Sequence, residues 1–200
     1  MKPSDSPTAE NGASPVHTIG HSTRSIDELV ALLRVGEVDT VVDIRSVPRS
    51  RTNPQFNLDA LPAALAGRGI GHVFLPELGG LRGKSKIVPP EVNAWWTNKS
   101  FHNYADHALS AEFRLGLDRL LALGREGRCA IMCSEAVWWR CHRRIVADYL
   151  IDAGARVFHL MWPDRAELAA MTPDALRTSD GLVYPARSRE GVMEEGSRAP

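Results

Sequence analysis

Cys129-Ala-Ile-Met-Cys-Ser-Glu-Ala-Val-Trp-Trp-Arg-Cys-His-Arg-Arg-Ile-Val146 is the stretch whose reading decides the fold. Its first five residues form a short apolar run, which reads as a strand buried on both faces. Ile145, Val146, Tyr149 and Leu150 then recur at helical spacing, which predicts a helix over residues 140–154. A strand that hands over to a helix is the building unit of an α/β sheet, and the polar segment between them falls at the edge where such sheets bind ligands. Here that segment carries Cys133, Glu135, Arg140, Cys141, His142, Arg143 and Arg144, a density of reactive groups found nowhere else in the chain.

Moving outward, the same unit repeats. Val16-His-Thr-Ile19 predicts a first strand, and Ser25 with Glu28 forms a capping-box pattern ahead of Ile26, Leu29, Val30, Leu32 and Leu33. Residues 38–44 predict a second strand and 58–66 a second helix, ended by Gly67 and Gly69; His72-Val-Phe-Leu75 predicts a third strand. Residues 81–109 read as an irregular insertion carrying Pro89, Pro90, Trp95 and Trp96, after which Ser110 caps a helix bearing Phe113, Leu117, Leu120 and Leu121. Val157-Phe-His-Leu-Met161 completes five strands, and a short helix is expected around 165–171. The fold class is therefore α/β, three-layered: a mostly parallel five-stranded sheet with helices on both faces, since parallel strands need crossovers.

Composition sets the boundaries. Two hundred residues with 44% hydrophobic content suit one domain, expected over 16–187, between a disordered leader (1–15) and a disordered tail (188–200) rich in small and polar residues. Lys+Arg and Asp+Glu balance at 24 each, which argues against broad, nonspecific nucleic-acid binding. Three cysteines without an apolar, positively charged leader point to free thiols in a reducing cytoplasm, and no apolar run reaches the ~20 residues needed to span a bilayer.

In a parallel sheet the segments leaving every strand gather at one edge. That places His21 and Ser22, Asp43, Arg45, Ser46, Arg49 and Arg51, Glu77, and Cys133 through Arg143 around one cleft. Arg guanidinium groups match phosphate oxygens bidentately, so an anionic small molecule or a nucleic-acid segment is the expected partner; equally, these arginines can pair with Asp43, Glu77 and Glu135 to hold the loops. Cys133 is the candidate nucleophile or redox group, with Glu135 and His142 managing protons and Arg45, Arg49 and Arg143 holding the anion, while Arg140 and Cys141 complete the ligand-binding set. Cys129 reads as structural.

Other readings stay open beside this one. Cys133, Cys141 and His142 are three potential zinc ligands, with His21 or Glu135 as a fourth, but Cys-x7-Cys-His matches no short knuckle, so no metal site is assigned. A Cys133–Cys141 disulfide is comparable. Trp95, Trp96, Trp138 and Trp139 could stack on bases beside Arg49 and Arg51, as in a non-catalytic nucleic-acid-binding or regulatory module, or could cover the core. Trp95-Trp96 could equally mark a subunit contact; cofactor and oligomeric state are left open. A Cys-led loop between strand and helix is also seen in rhodanese-like sulfurtransferases and cysteine phosphatases, yet Ala136-Val-Trp-Trp139 lacks the glycines with which those loops wrap an anion.

The blocks Thr18-Ile-Gly-His-Ser22, Val42-Asp-Ile-Arg-Ser46, Leu78-Gly-Gly80, Cys133-x-Glu135, Cys141-His-Arg143 and Asp180-Gly-Leu-Val-Tyr-Pro185 carry a resemblance. Through them the chain resembles the bacterial and archaeal domain of unknown function 488 family over about residues 16–185. That likeness implies the same cleft residues and brings no reaction with it.

Overall fold

A computed structural model describes residues 14–186. The expected leader, apart from Ser14 and Pro15, and the expected tail lie outside them. The described chain folds as an α/β sheet of six strands: β1 Val16–Gly20, β2 Thr40–Asp43, β3 Gly71–Phe74, β4 Cys129–Cys133, β5 Val157–Trp162 and β6 Arg165–Leu168, in the order β3-β2-β4-β1-β5-β6. The first five are mutually parallel; β6 returns antiparallel along β5. A separate small hairpin pairs β7 Leu176–Arg177 with β8 Leu182–Val183.

The helices are α1 Ile26–Val35, α2 Leu61–Ala66, α3 Lys99–Ala108, α4 Ala111–Glu126 and α5 Arg143–Asp152. Ser25 and Glu28 close the expected capping box on α1, each satisfying a backbone N–H that the first turn leaves without a partner. Side chains alternate across the strands, so the sheet separates two cores. Ile19, Val41, Ala130 and Met132 face α1 and α2, whereas Val42, Cys129 and Ile131 face α3, α4 and α5. Cys133, two residues beyond Ile131, keeps the second orientation and points toward the start of α5.

Three expectations are corrected. Residues 165–171 are not helical, because Pro163 and Asp164 turn the chain and the free edge of β5 captures Arg165–Leu168 as the sixth strand. Edge pairing overrides the helix preference of Ala, Glu and Leu. The insertion is not wholly irregular: α3 lies within it, its N-terminus capped by Asn98 Oδ1, which accepts from the Ser100 and Phe101 backbones. The helix expected from residue 140 begins at Arg143, preceded by a 3-10 turn at Trp138–Arg140 and an extended Cys141 at φ −132°, ψ 147°. Among the described residues no helix is long and apolar enough to cross a membrane.

Two histidines of the sheet interior make the fold sensitive to acid. Burial pulls His17 down to about 4, with the charge of Arg128 adding to it, and pulls His159 down to about 3, with Arg143 adding to it. His159 shares a 2.8 Å hydrogen bond with Thr18 Oγ1 and stacks on Trp138 at 4.2 Å between ring centroids. Unfolded histidine titrates near 6.5, so between there and the folded values the unfolded chain binds more protons, and stability falls as pH falls. From about pH 7 to about pH 5 the loss is expected to be on the order of 2 kcal/mol for each of the two histidines, read as a lower urea midpoint at unchanged slope. A midpoint that holds level over that range would contradict the burial argument.

Candidate functional site

The segments leaving β1, β2 and β4 are stitched together by hydrogen bonds. His21 N donates to Cys133 O at 2.9 Å and Ser22 N to Ser134 O at 3.0 Å, continuing the β1–β4 ladder past the strand ends. Gly20 makes this approach possible, since a Cβ there would stand 1.9 Å from Glu135 O. Beside it, Asp43 accepts two bonds from the Arg45 guanidinium, at 2.9 and 2.6 Å, and one from the Arg45 backbone at 3.1 Å. The same guanidinium donates to Phe56 O at 2.6 Å and, at 3.2 Å, to His21 Nε2. His21 Nε2 therefore accepts, and its Nδ1–H donates to Ser22 O at 2.8 Å, which fixes the neutral tautomer.

The electrostatics agree with that geometry. Burial alone pushes the Asp43 carboxyl up, but the bonds and charge of Arg45, with His72 Nε2 3.6 Å away, outweigh it and hold it below the usual carboxylate range. Burial, assisted by the Arg45 charge, pulls His21 down to about 4. Arg45 and Asp43 are both buried, so of the two uses open to this arginine the loop-holding one is realised.

Next to this brace lies a cleft of about 290 Å³, lined among others by Arg45, Ser46, Gly80, Tyr104, Glu135 and Arg140, with Cys133, Cys141 and His142 in its wall. The extended Cys141 turns its thiol back toward Cys133, and His142 follows at the cap position of α5. His142 Nδ1 stands 3.5 Å from Cys141 Sγ and 3.9 Å from Cys133 Sγ, and all three atoms lie within 4.8 Å of one another. On the far side of the ring, Nε2 is 3.1 Å from Ile44 O. A carbonyl only accepts, so Nε2 carries a proton, and the ring turns Nδ1 toward the two sulfurs.

Arg143 is buried at 1% exposure; its Nε donates to Cys141 Sγ at 3.3 Å, and its terminal nitrogen to Glu135 O. The two thiols respond oppositely. Burial works against ionising Cys141, but its bond from Cys133 and the Arg143 cation outweigh burial and bring it below the ordinary thiol range. Cys133 is pushed up by the same contact with Cys141 and by burial. The more readily ionised thiol of the pair is thus Cys141, eight residues nearer in sequence to the buried Arg143 than Cys133, the thiol that the sequence reading favours.

The remaining expected residues separate by partner. Arg49 and Arg140 are exposed, and neither has a hydrogen bond or ion pair among the described residues. Arg140 stands at the 290 Å³ cleft; Arg49 lines an adjoining one of about 440 Å³ with His21, Ser22, Asn53 and Glu135. Glu135 is exposed and belongs to both. Ser46 accepts from Leu81 N at 2.8 Å at the cleft wall. Arg51 is exposed but lines neither cleft, and Glu77 turns to Arg119, 2.6 Å away, on the side of α4.

Trp95 and Trp96 do not face the cleft: Trp96 is buried against Phe101 and Tyr184, and the Arg144 guanidinium sits over both indoles at 5.2 and 4.9 Å. Trp138 stacks on His159, leaving Trp139 the exposed member of the four. Tyr104, an aromatic that the sequence reading puts near the cleft mouth, lines the cleft: its ring lies 4.9 Å from that of His142 and its hydroxyl donates to Leu78 O at 2.7 Å. The sequence reading missed the helix that carries it, although Phe101, Tyr104, Ala105 and Ala108 follow the Asn98 cap at helical spacing.

A family model described as Domain of unknown function DUF488 matches residues 25–150, which takes in β2, β4 and the Cys133–Arg143 segment but not the Thr18–Ser22 block. No curated protein and no solved structure matches the chain.

Proposed function

The chain belongs to the DUF488 family, whose description names no reaction, and from the site alone we propose that the paired clefts bind a phosphate-bearing small molecule of nucleotide size and act on it. One observation carries this reading: two guanidinium groups without a partner among the described residues, Arg49 and Arg140, flank a sulfur–imidazole cluster at the carboxyl edge of a parallel sheet. Arg49 and Arg140 hold the anion. Arg45, Asp43, His21 and Arg143 shape the clefts from beneath, and Glu135, exposed between them, carries protons to and from the ligand. An extended nucleic-acid strand fits less well, because Trp95, Trp96 and Trp138 are engaged internally and, of these four tryptophans, Trp139 is the one offered for stacking. Three free thiols, all buried, suit a reducing compartment.

Calorimetric titration of the full chain with orthophosphate, a nucleoside diphosphate and a single-stranded oligonucleotide tests the proposal. The diphosphate is expected to bind most tightly, with affinity falling as salt rises. Arg49→Ala and Arg140→Ala should each weaken it about 5- to 30-fold, as for loss of one charge-assisted contact. Equal affinity in wild type and both variants, or binding of the oligonucleotide alone, would remove the reading.

A further inference from the structure

The geometry points to a thiophilic divalent cation, zinc foremost, held by Cys133 Sγ, Cys141 Sγ and His142 Nδ1, with its fourth coordination position open to the 290 Å³ cleft. The use made of that open position rests on the reading of the cleft given above; the metal site itself does not.

Four features agree. A tetrahedral centre with metal–sulfur bonds of about 2.3 Å and a metal–nitrogen bond of about 2.0 Å sets its nitrogen about 3.6 Å from each sulfur. His142 Nδ1 is 3.5 Å from one sulfur and 3.9 Å from the other, so the imidazole already stands at about the separation from each thiol that a zinc ion requires, and the two sulfurs lie within 4.8 Å of each other. Second, the outer nitrogen of His142 donates to Ile44 O, the backbone contact that orients a ligating imidazole and leaves its inner lone pair free. Third, Arg143 Nε–H reaches Cys141 Sγ, a bond that favours thiolate over thiol. Fourth, Gly80 keeps the face of the ring at Nδ1 clear, since a Cβ there would stand 2.3 Å from that nitrogen.

Neither further candidate from the sequence completes the set as a protein ligand. Both nitrogens of His21 are engaged, by Arg45 and by Ser22 O. Glu135 is exposed and lines the same cleft, outside the group of three donors. Three protein ligands with a position left for water or substrate is the pattern of a reactive zinc, whereas closed four-ligand sites are structural. Binding balances as Zn²⁺ plus the two cysteine sulfurs and one neutral imidazole giving a neutral dithiolate–imidazole complex, with one proton released for each sulfur that is a thiol beforehand; nothing is oxidised. A water in the fourth position would then be acidified toward neutral pH, with Glu135 beside it and the anion held at Arg49 and Arg140.

The test uses the full chain, reduced, stripped of metal by chelator and shown to be folded. Titration with zinc alone is expected to give one ion per chain, with between one and two protons released in buffers of different ionisation heat. Cobalt should give the intense visible absorption of a tetrahedral site together with thiolate-to-metal charge transfer. Cys133→Ser, Cys141→Ser and His142→Ala should each weaken zinc at least 100-fold, while Cys129→Ala, a buried thiol outside the cluster, should bind as wild type. Should the site variants fail to fold, the cobalt spectrum and proton count of the wild type decide instead. An octahedral cobalt spectrum, no stoichiometric zinc in the folded wild type, or a Cys133–Cys141 disulfide found by mass spectrometry in protein isolated under argon would overturn the site. Phosphate binding measured on the metal-free chain separates the two proposals, because loss of zinc leaves the Arg49 and Arg140 contacts in place.

Discussion

Asp43→Ala is expected to destabilise the protein by about 3–5 kcal/mol, the penalty for stranding a buried charge, and to abolish ligand binding with it. Asp43 is wholly enclosed and Arg45 is 5% exposed, so removing the carboxylate leaves a guanidinium that water cannot reach. Phe56 O and His21 Nε2 remain as partners, but neither carries a charge. The loop after β2 would have to open to hydrate Arg45, taking Ser46 and Ile44 O with it, and Ile44 O is the group that orients His142. Asp43→Asn should lose nearly as much, because it keeps the shape but not the charge. Replacing both partners, Asp43→Leu with Arg45→Met, should recover much of the stability, since paired apolar groups of similar volume need no solvation. Urea midpoints of the four proteins check this; a loss below about 1 kcal/mol for Asp43→Ala would mean the pair is hydrated after all.

Gly20→Ala should have an effect of similar size by a different route. An added Cβ meets backbone on every side, 1.9 Å from Glu135 O and 2.9 Å from Ala136 O, so no flexible side chain can yield. The segment after Cys133 must move away from β1, which breaks the His21 N–Cys133 O and Ser22 N–Ser134 O bonds and withdraws Glu135 O from Arg143. A destabilisation of about 2–4 kcal/mol is expected, together with at least a tenfold loss of zinc and phosphate affinity. Gly83, whose Cβ would meet nothing within 4 Å, is the control: Gly83→Ala should be neutral. If Gly20→Ala proved as stable as Gly83→Ala with binding intact, the close apposition of these two loops would not be needed to form the site.

The two predictions show where the legible part of the chain ends. Asp43, Arg45, Cys133, Cys141 and His142 could all be placed at the carboxyl edge from strand ends alone, because direction in a parallel sheet is common to every strand. Which of them touch could not. Arg45 and Arg49 lie four residues apart in one polar loop, yet one is a buried brace and the other an unpaired cation, a division set by Phe56, His21 and Asp43 rather than by the loop's own composition. Likewise α3 and β6 fell in stretches whose local signals were weak or pointed elsewhere, and neighbours in space decided them.

By itself the sequence determined the alternation of strands and helices, the capping of α1 and α4, and the edge at which the reactive groups collect, because hydrophobic period and cap chemistry act within a few residues. Only tertiary structure decided the strand order, the sixth strand and the meeting of Cys133 with Cys141 and His142. That meeting depends on an extended residue between two helical turns and on an imidazole oriented by a carbonyl 98 positions earlier, contacts that no local pattern encodes.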